Sequence, residues 1–81
     1  MEDYIDAHRF SANNKEMLKK DKVCGCFYCL TIFSPDQIEM WIKDISGTAM
    51  CPYCTIDSVI GESSGYQITT EFLKKMHKHW F

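Results

Sequence analysis

Cys26-Phe27-Tyr28-Cys29 and Cys51-Pro52-Tyr53-Cys54 are two C-x-x-C units separated by 21 residues. Each unit can wrap a tight turn that points two sulfurs at one point. Two such turns at this spacing read as a tetrahedral metal site of the zinc type, with Cys26, Cys29, Cys51 and Cys54 as ligands. Four thiolates complete the shell and leave no position open for a substrate, so the expected Zn2+ is structural rather than catalytic.

The length of the chain agrees with that need. Its 81 residues make one expected zinc-binding domain, 1–81, with 1–21 as a helical N-terminal extension. A core this small gains from a staple, and structural zinc contributes about 10–16 kcal/mol in small domains. Hydrophobic residues make up 46% of the chain and aromatics 14%, which excludes a disordered tail. No apolar run is long enough for a membrane span or a signal-peptide core. The cysteines are therefore expected to face a reducing cytoplasm, where metal ligation is favoured over disulfides. An odd count of five cysteines also fits a disulfide framework poorly.

The fifth cysteine, Cys24, stands two residues before Cys26. On a strand it shares a face with Cys26. It reads as a small buried hydrophobe beside the site. The sharper readings are a ligand swap or a redox-sensitive thiol.

Charge is unevenly spread. Residues 1–22 carry five acids and five bases, 23–65 carry five acids against Lys43, and 66–81 carry Glu71 against Lys74, Lys75 and Lys78. The cysteine module is thus acidic before four thiolates are counted, and a phosphate backbone would be repelled by it. Nucleic-acid binding lacks its basic footprint here. Three lysines on the last helix are a solvated face or, at most, a weak basic stripe.

Local signals order the rest. Residues 2–9 start a short helix. Ser11 caps a helix over 12–20 that buries Met17 and Leu18. Residues 22–26 form a strand into the first turn. Ser34, Pro35 and Gln37 make a capping box with proline at the first helical position, and Phe33 staples onto Ile38. Ile38, Trp41, Ile42 and Ile45 then follow the i, i+3, i+4, i+7 pattern, which predicts a helix stopped by Gly47. Residues 48–50 form a strand into the second turn, and 55–60 a returning strand rich in β-branched residues. A turn at 61–65 precedes a last helix capped by Thr69 or Thr70, with Phe72, Leu73, Met76 and Trp80 on its apolar face. The expected architecture is α+β: a small zinc-ribbon-like domain with two C-x-x-C knuckles, short strands and two to four helices.

The run from Cys24 to Cys29, the segment Ser34-Pro35-Asp36-Gln37-Ile38 with Trp41-Ile42, the stretch from Thr48 to Gly61, and Ile68-Thr69 with Glu71-Phe72-Leu73-Lys74 resemble a family of small bacterial zinc-ribbon-like proteins labelled only as cytoplasmic. The resemblance spans most of 24–81. It implies a bacterial or phage origin and a cytoplasmic address, and it transfers no catalytic residue. Where that family has glycine after the second pair, this chain has Thr55.

Three activities are weighed against a plain structural module. Cys51-Pro52-Tyr53-Cys54 is identical to the glutaredoxin motif. That fold carries it near the chain start, before a helix and facing a later cis-proline, whereas no proline follows Pro52 here. The other C-x-x-C would also have no role, so thiol–disulfide exchange is disfavoured. An HNH-type nuclease would need a histidine after Asp57, where Ser58 stands, leaving a degenerate relative as the alternative. His77 and His79 lie two apart, about 200° around a helix, and cannot readily share an ion; His8 is isolated. The expected function is a protein-binding or regulatory module, not an enzyme. Tyr28 and Tyr53, at the middle of the two turns, are candidate contact residues. Nucleic-acid binding through Lys74, Lys75 and Lys78 is the competing class.

Overall fold

The computed structural model describes residues 3–81. Its centre is a three-stranded antiparallel sheet in the order β2-β1-β5, where β1 is Cys24–Cys26, β2 Ile32–Phe33 and β5 Val59–Gly61. Cys24 pairs with Phe33 on one side and Gly61 on the other, and Cys26 pairs with Val59. A separate antiparallel hairpin joins β3, Trp41–Ile42, to β4, Thr48–Ala49. Two four-residue helices, α1 (Asp3–Asp6) and α2 (Lys15–Leu18), precede the sheet, and α3 (Thr70–Trp80) closes the chain. This is the expected α+β class.

The twofold period of the strands sorts the core into two halves. Cys24, Cys26 and Val59 face one side, where they meet Leu18, Phe33, Ile38, Ala49 and Cys51. Ile60 faces the other, where Phe27, Ala7, Leu73 and Met76 pack. Gly25 points to that second side. A Cβ there would stand 2.8 Å from Leu73 Cδ1 and 3.1 Å from Ile68 Cγ2, so the missing side chain is what lets α3 lie close on the sheet. α3 starts as its sequence implies: Thr69 Oγ1 accepts a hydrogen bond from the Phe72 N–H at 3.2 Å. Leu73 and Met76 are buried, and Phe72 partly so. Trp80 stays at the rim, donating from its indole N–H to the Tyr4 carbonyl of α1 at 3.3 Å.

The helix expected from Ser34 to Ile45 does not form. Its capping signals yield one 3-10 turn, Pro35–Gln37, and Ser34 makes no side-chain cap bond. The Gln37 side chain accepts from the Tyr53 hydroxyl instead of reaching back to close a box. Ile38 is already extended at φ −74°, ψ 119°. Trp41 and Ile42 then pair with Ala49 and Thr48. The apolar pattern therefore splits: Ile38 is buried, whereas Ile45 is 96% exposed. Tertiary pairing wins because β4 feeds the second cysteine turn and needs a ladder partner, and aromatic and β-branched residues serve a strand well. Gly47, at φ +97°, makes the turn rather than ending a helix. The Asp44 carboxylate holds that turn, accepting from the Gly47 N–H at 2.7 Å and from the Thr48 hydroxyl.

Two smaller expectations also change. The helix over 12–20 shrinks to α2, because Asn13 adopts a left-handed φ of 51° and breaks the run. Ser11 belongs to the 3-10 turn Ala7–Ser11, where its hydroxyl donates to the His8 carbonyl at 2.7 Å. Leu18 is buried as expected, and Met17 only partly. The strand expected over 55–60 is confined to β5, since Thr55 is itself left-handed at φ 67°. The first helix expectation, 2–9, is realised as α1 and the 3-10 turn, with Glu2 outside the described residues.

Candidate metal centre

The two C-x-x-C units form matching turns. In the first, the Cys26 N–H donates to the Thr31 carbonyl at 3.0 Å and the Leu30 N–H to the Cys26 carbonyl at 2.8 Å. In the second, Cys51 N–H donates to the Ile56 carbonyl at 3.0 Å and Thr55 N–H to the Cys51 carbonyl at 2.9 Å. The Tyr28 and Tyr53 N–H groups each point at the leading sulfur of their turn, Cys26 and Cys51 respectively, at 3.4 Å. Such N–H···S bonds stabilise a thiolate and orient it. The turns differ in their flanks. The first runs from β1 into β2, and the second follows β4 and leads towards β5.

Together the turns bring all four predicted ligand sulfurs within 4.8 Å of one another. Cys26 Sγ lies 3.6 Å from Cys54 Sγ, and Cys29 Sγ lies 3.7 Å from Cys51 Sγ. A tetrahedron with metal–sulfur bonds of about 2.3 Å has edges of about 3.8 Å, so these sulfurs stand at ligand spacing. All five cysteines are free thiols. Among the described residues, this is the one grouping of three or more His, Cys, Asp or Glu side chains whose ligand atoms are close enough to share an ion. The four cysteines fit a metal ion.

The electrostatics point the same way. Burial pushes the Cys51 thiol up, and burial with the adjacent Cys26 pushes Cys54 up further. Burial also acts on Cys29, but hydrogen bonds with Thr31 and then with Cys51 and Cys26 outweigh it and bring that thiol down to about 7. Acids crowded into one site resist ionising together, and a cation among them removes that resistance.

Cys24 is not part of the group. It is fully buried on the same strand face as Cys26, and its thiol donates to the Phe33 carbonyl at 3.5 Å. Burial and then the charge of Asp21 push it up to about 12. The small-hydrophobe reading describes it.

Two residues of the site carry no signal in the motif. Ser58 is buried with its hydroxyl 3.2 Å from Cys26 Sγ, and Thr31 Oγ1 accepts from Cys29 Sγ at 3.2 Å. Thr31, two residues past its cysteine, is within reach by spacing alone. Ser58 comes from beyond the second turn and only the fold brings it there. It occupies the place where a nuclease would carry its histidine, and here that place faces a ligand sulfur.

The histidines stay apart from the sulfurs. His77 Nδ1 lies 3.2 Å from the Phe27 carbonyl. His8 lies against Trp80 at a tilt with centroids 4.0 Å apart, and His79 meets Tyr4 edge-on at 5.6 Å. Tyr28 and Tyr53 are 42% and 58% exposed, so the third residue of each C-x-x-C unit faces solvent. Each ring is braced: Tyr28 against Phe81 at 4.8 Å, Tyr53 against Phe33 at 5.6 Å. Among the described residues no helix is long and apolar enough to cross a membrane. Comparison with protein-family models, curated proteins and solved structures finds no match to this chain.

Proposed function

We propose that this chain is a structural-zinc module that binds a protein partner in the bacterial or phage-infected cytoplasm and performs no catalysis. The observation that carries the reading is the closed set of four sulfurs at tetrahedral spacing. A four-thiolate shell has no free position for substrate or water, which is the pattern of structural rather than catalytic zinc. Zinc suits such a shell because it has no redox chemistry and accepts a tetrahedral set of soft donors. Free thiols fit a reducing compartment.

The protein-binding part rests on what the turns present. Tyr28 and Tyr53 are exposed aromatics, each with its ring against a neighbouring phenylalanine, on a module of acidic balance. Aromatic anchors with little side-chain freedom to lose are favoured at protein interfaces.

Elemental analysis of protein purified under reducing conditions, without added metal, tests the first part. One zinc per chain is expected, and Cys26→Ser and Cys51→Ser variants should lose both the metal and the fold. Iron in place of zinc, or a folded metal-free chain with a titratable Cys51, would overturn it. A Tyr28→Ala/Tyr53→Ala variant tests the second part. It should keep its zinc and lose cross-linking to partner protein in the native host; unchanged cross-linking removes the two turns as the interface.

A further inference from the structure

The hairpin of β3 and β4 leaves one edge of its sheet open. β3 pairs with β4 and with no other strand. Every residue from Glu39 to Ser46 is exposed except Trp41, which is partly buried. The Met50 N–H donates to the Met40 carbonyl at 3.1 Å, and this bond fixes the phase of the ladder. Met40 and Ile42 turn their backbone groups towards β4, and Trp41, opposite Ala49, is the non-hydrogen-bonded position between them. The Trp41 N–H and C=O therefore point outwards, and among the described residues they bond to nothing. The chain turns away after Lys43, where the Asp44 N–H donates to the Ile42 carbonyl at 3.0 Å. The open edge thus runs over 39–43.

We infer that this edge pairs with the same edge of a second copy of the chain. The pairing is antiparallel, in the register that sets Trp41 opposite Trp41, Glu39 opposite Lys43 and Met40 opposite Ile42. The inference uses neither Tyr28 nor Tyr53 and stands apart from the protein-binding reading above.

Charge complementarity selects the occupant and the register. Glu39 and Lys43 stand two residues either side of Trp41. A twofold axis through the Trp41 pair brings each Glu39 opposite the Lys43 of the other copy, so the charge pair forms twice. Among the described residues neither side chain has an ion-pair partner in its own chain. The same axis sets exposed Met40 against exposed Ile42, again twice. Centring the axis on Met40 or on Ile42 keeps outward backbone groups facing one another. It also puts Glu39 or Lys43 opposite Trp41 and loses both charge pairs. Charges on an open edge commonly block pairing. Opposite charges at symmetry-related positions favour self-pairing instead.

The far side of the hairpin closes the assembly. The Ala49 N–H, on the outer edge of β4, donates to Asn14 Oδ1 at 3.1 Å, and the Asn13 N–H donates to Thr48 Oγ1 at 2.8 Å. The N-terminal segment covers that edge, so two copies make one four-stranded sheet that grows no further. Five residues bury less than the roughly 800 Å² a side of a tight complex, so a dissociation constant of the order of 100 μM is expected.

The test is sedimentation equilibrium of the full, zinc-loaded chain from about 10 μM to about 1 mM, with amide hydrogen exchange read by NMR at both ends of the range. A monomer–dimer equilibrium is expected, with exchange of the Trp41 N–H slowed at the highest concentration. Lys43→Glu sets carboxylate against carboxylate at both pairs, and Glu39→Lys sets ammonium against ammonium. Each should weaken the dimer at least about tenfold. Both positions are exposed, so neither change disturbs the core. The exchanged chain Glu39→Lys/Lys43→Glu restores both pairs and should dimerise like the parent. An equimolar mixture of the two single variants should dimerise as well. A chain that stays monomeric at the highest concentration, a dimer unmoved by either reversal, or an exchanged chain that stays monomeric would overturn the inference. So would a dimer that slows exchange at Tyr28 and Tyr53 and leaves Trp41 unchanged, which would place the self-interface at the cysteine turns.

Discussion

Leu30 and Thr55 occupy the same position in the two cysteine turns, each directly after the second cysteine and each left-handed, at φ 66° and 67°. The turn needs this conformation so that the next residue's carbonyl can return to the leading cysteine's N–H. Glycine adopts it freely, whereas a side chain there costs about 1–2 kcal/mol. Both turns therefore store some strain.

The two positions should respond differently to glycine. Thr55 is exposed, so Thr55→Gly removes strain and loses little contact. After the larger chain entropy of glycine is counted, a net gain of about 0.5–1 kcal/mol is expected. Leu30 packs against the second core cluster, so Leu30→Gly should be net destabilising by about 1 kcal/mol or more. Denaturant unfolding at fixed free metal measures both. A destabilised Thr55→Gly would mean that the second turn is not strained at this residue.

The cysteine turns, the Thr69 cap and the strands that lead into the two turns are legible in the sequence because each rests on neighbouring residues. Thr69 needs only Phe72, and Cys26 and Cys29 define their turn with the residues between them. Ile38 to Ile45 is misread for the opposite reason. Its spacing suits a helix, but β4 lies across from it, and no local signal reports that pairing. Asn14 is the clearest case of information held only by the fold. In the sequence it is one of several polar residues in an N-terminal extension. In the structure it is 2% exposed and joins three segments.

Asn14 should be among the least replaceable residues outside the cysteines. Its Nδ2 donates to the Val59 carbonyl at 2.8 Å and the Phe10 carbonyl at 3.0 Å, and its Oδ1 accepts from the Ala49 N–H at 3.1 Å. One side chain thus ties the N-terminal segment to β4 and β5. Asn14→Ala leaves the Ala49 donor and the Val59 acceptor without their partner in a buried place, at a cost of about 2–4 kcal/mol. Asn14→Asp cannot donate to either carbonyl and should do no better. Thermal unfolding of both variants against the parent chain checks this. A change below about 1 kcal/mol would show that water or a rearranged side chain replaces those bonds.

Cys24 separates burial from ligation. Its thiol is fully buried and outside the four-sulfur group. Cys24→Ala should therefore keep the full metal content and lose about 1 kcal/mol from the small cavity. Cys26→Ser, two residues away on the same face, should lose the metal. Metal content and unfolding free energy measured together distinguish the two. Loss of metal in Cys24→Ala would make Cys24 a ligand in place of one of the four.

Acid should act on the N-terminal segment through Tyr66 as well as on the thiolates. The Tyr66 hydroxyl donates to Asp6 Oδ2 at 2.5 Å, and Arg9 Nε donates to Asp6 Oδ1 at 3.1 Å. The Tyr66 bond outweighs the opposing effect of burial and, with help from Arg9, holds the Asp6 carboxyl below its usual range. A carboxyl lowered on folding contributes stability above its unfolded titration, and that contribution is lost as pH falls through the folded one. Tyr66→Phe removes the hydroxyl but keeps the ring, which stacks on Phe72 at 5.6 Å and meets Phe10 edge-on at 6.3 Å. Asp6 should then titrate nearer its ordinary range, and acid should loosen the α1 segment at a higher pH than in the parent chain. Following Asp6 and the α1 amides by NMR through an acid titration measures this. An unchanged Asp6 titration in Tyr66→Phe would assign its lowering to Arg9 instead, and Arg9→Gln would then produce the shift.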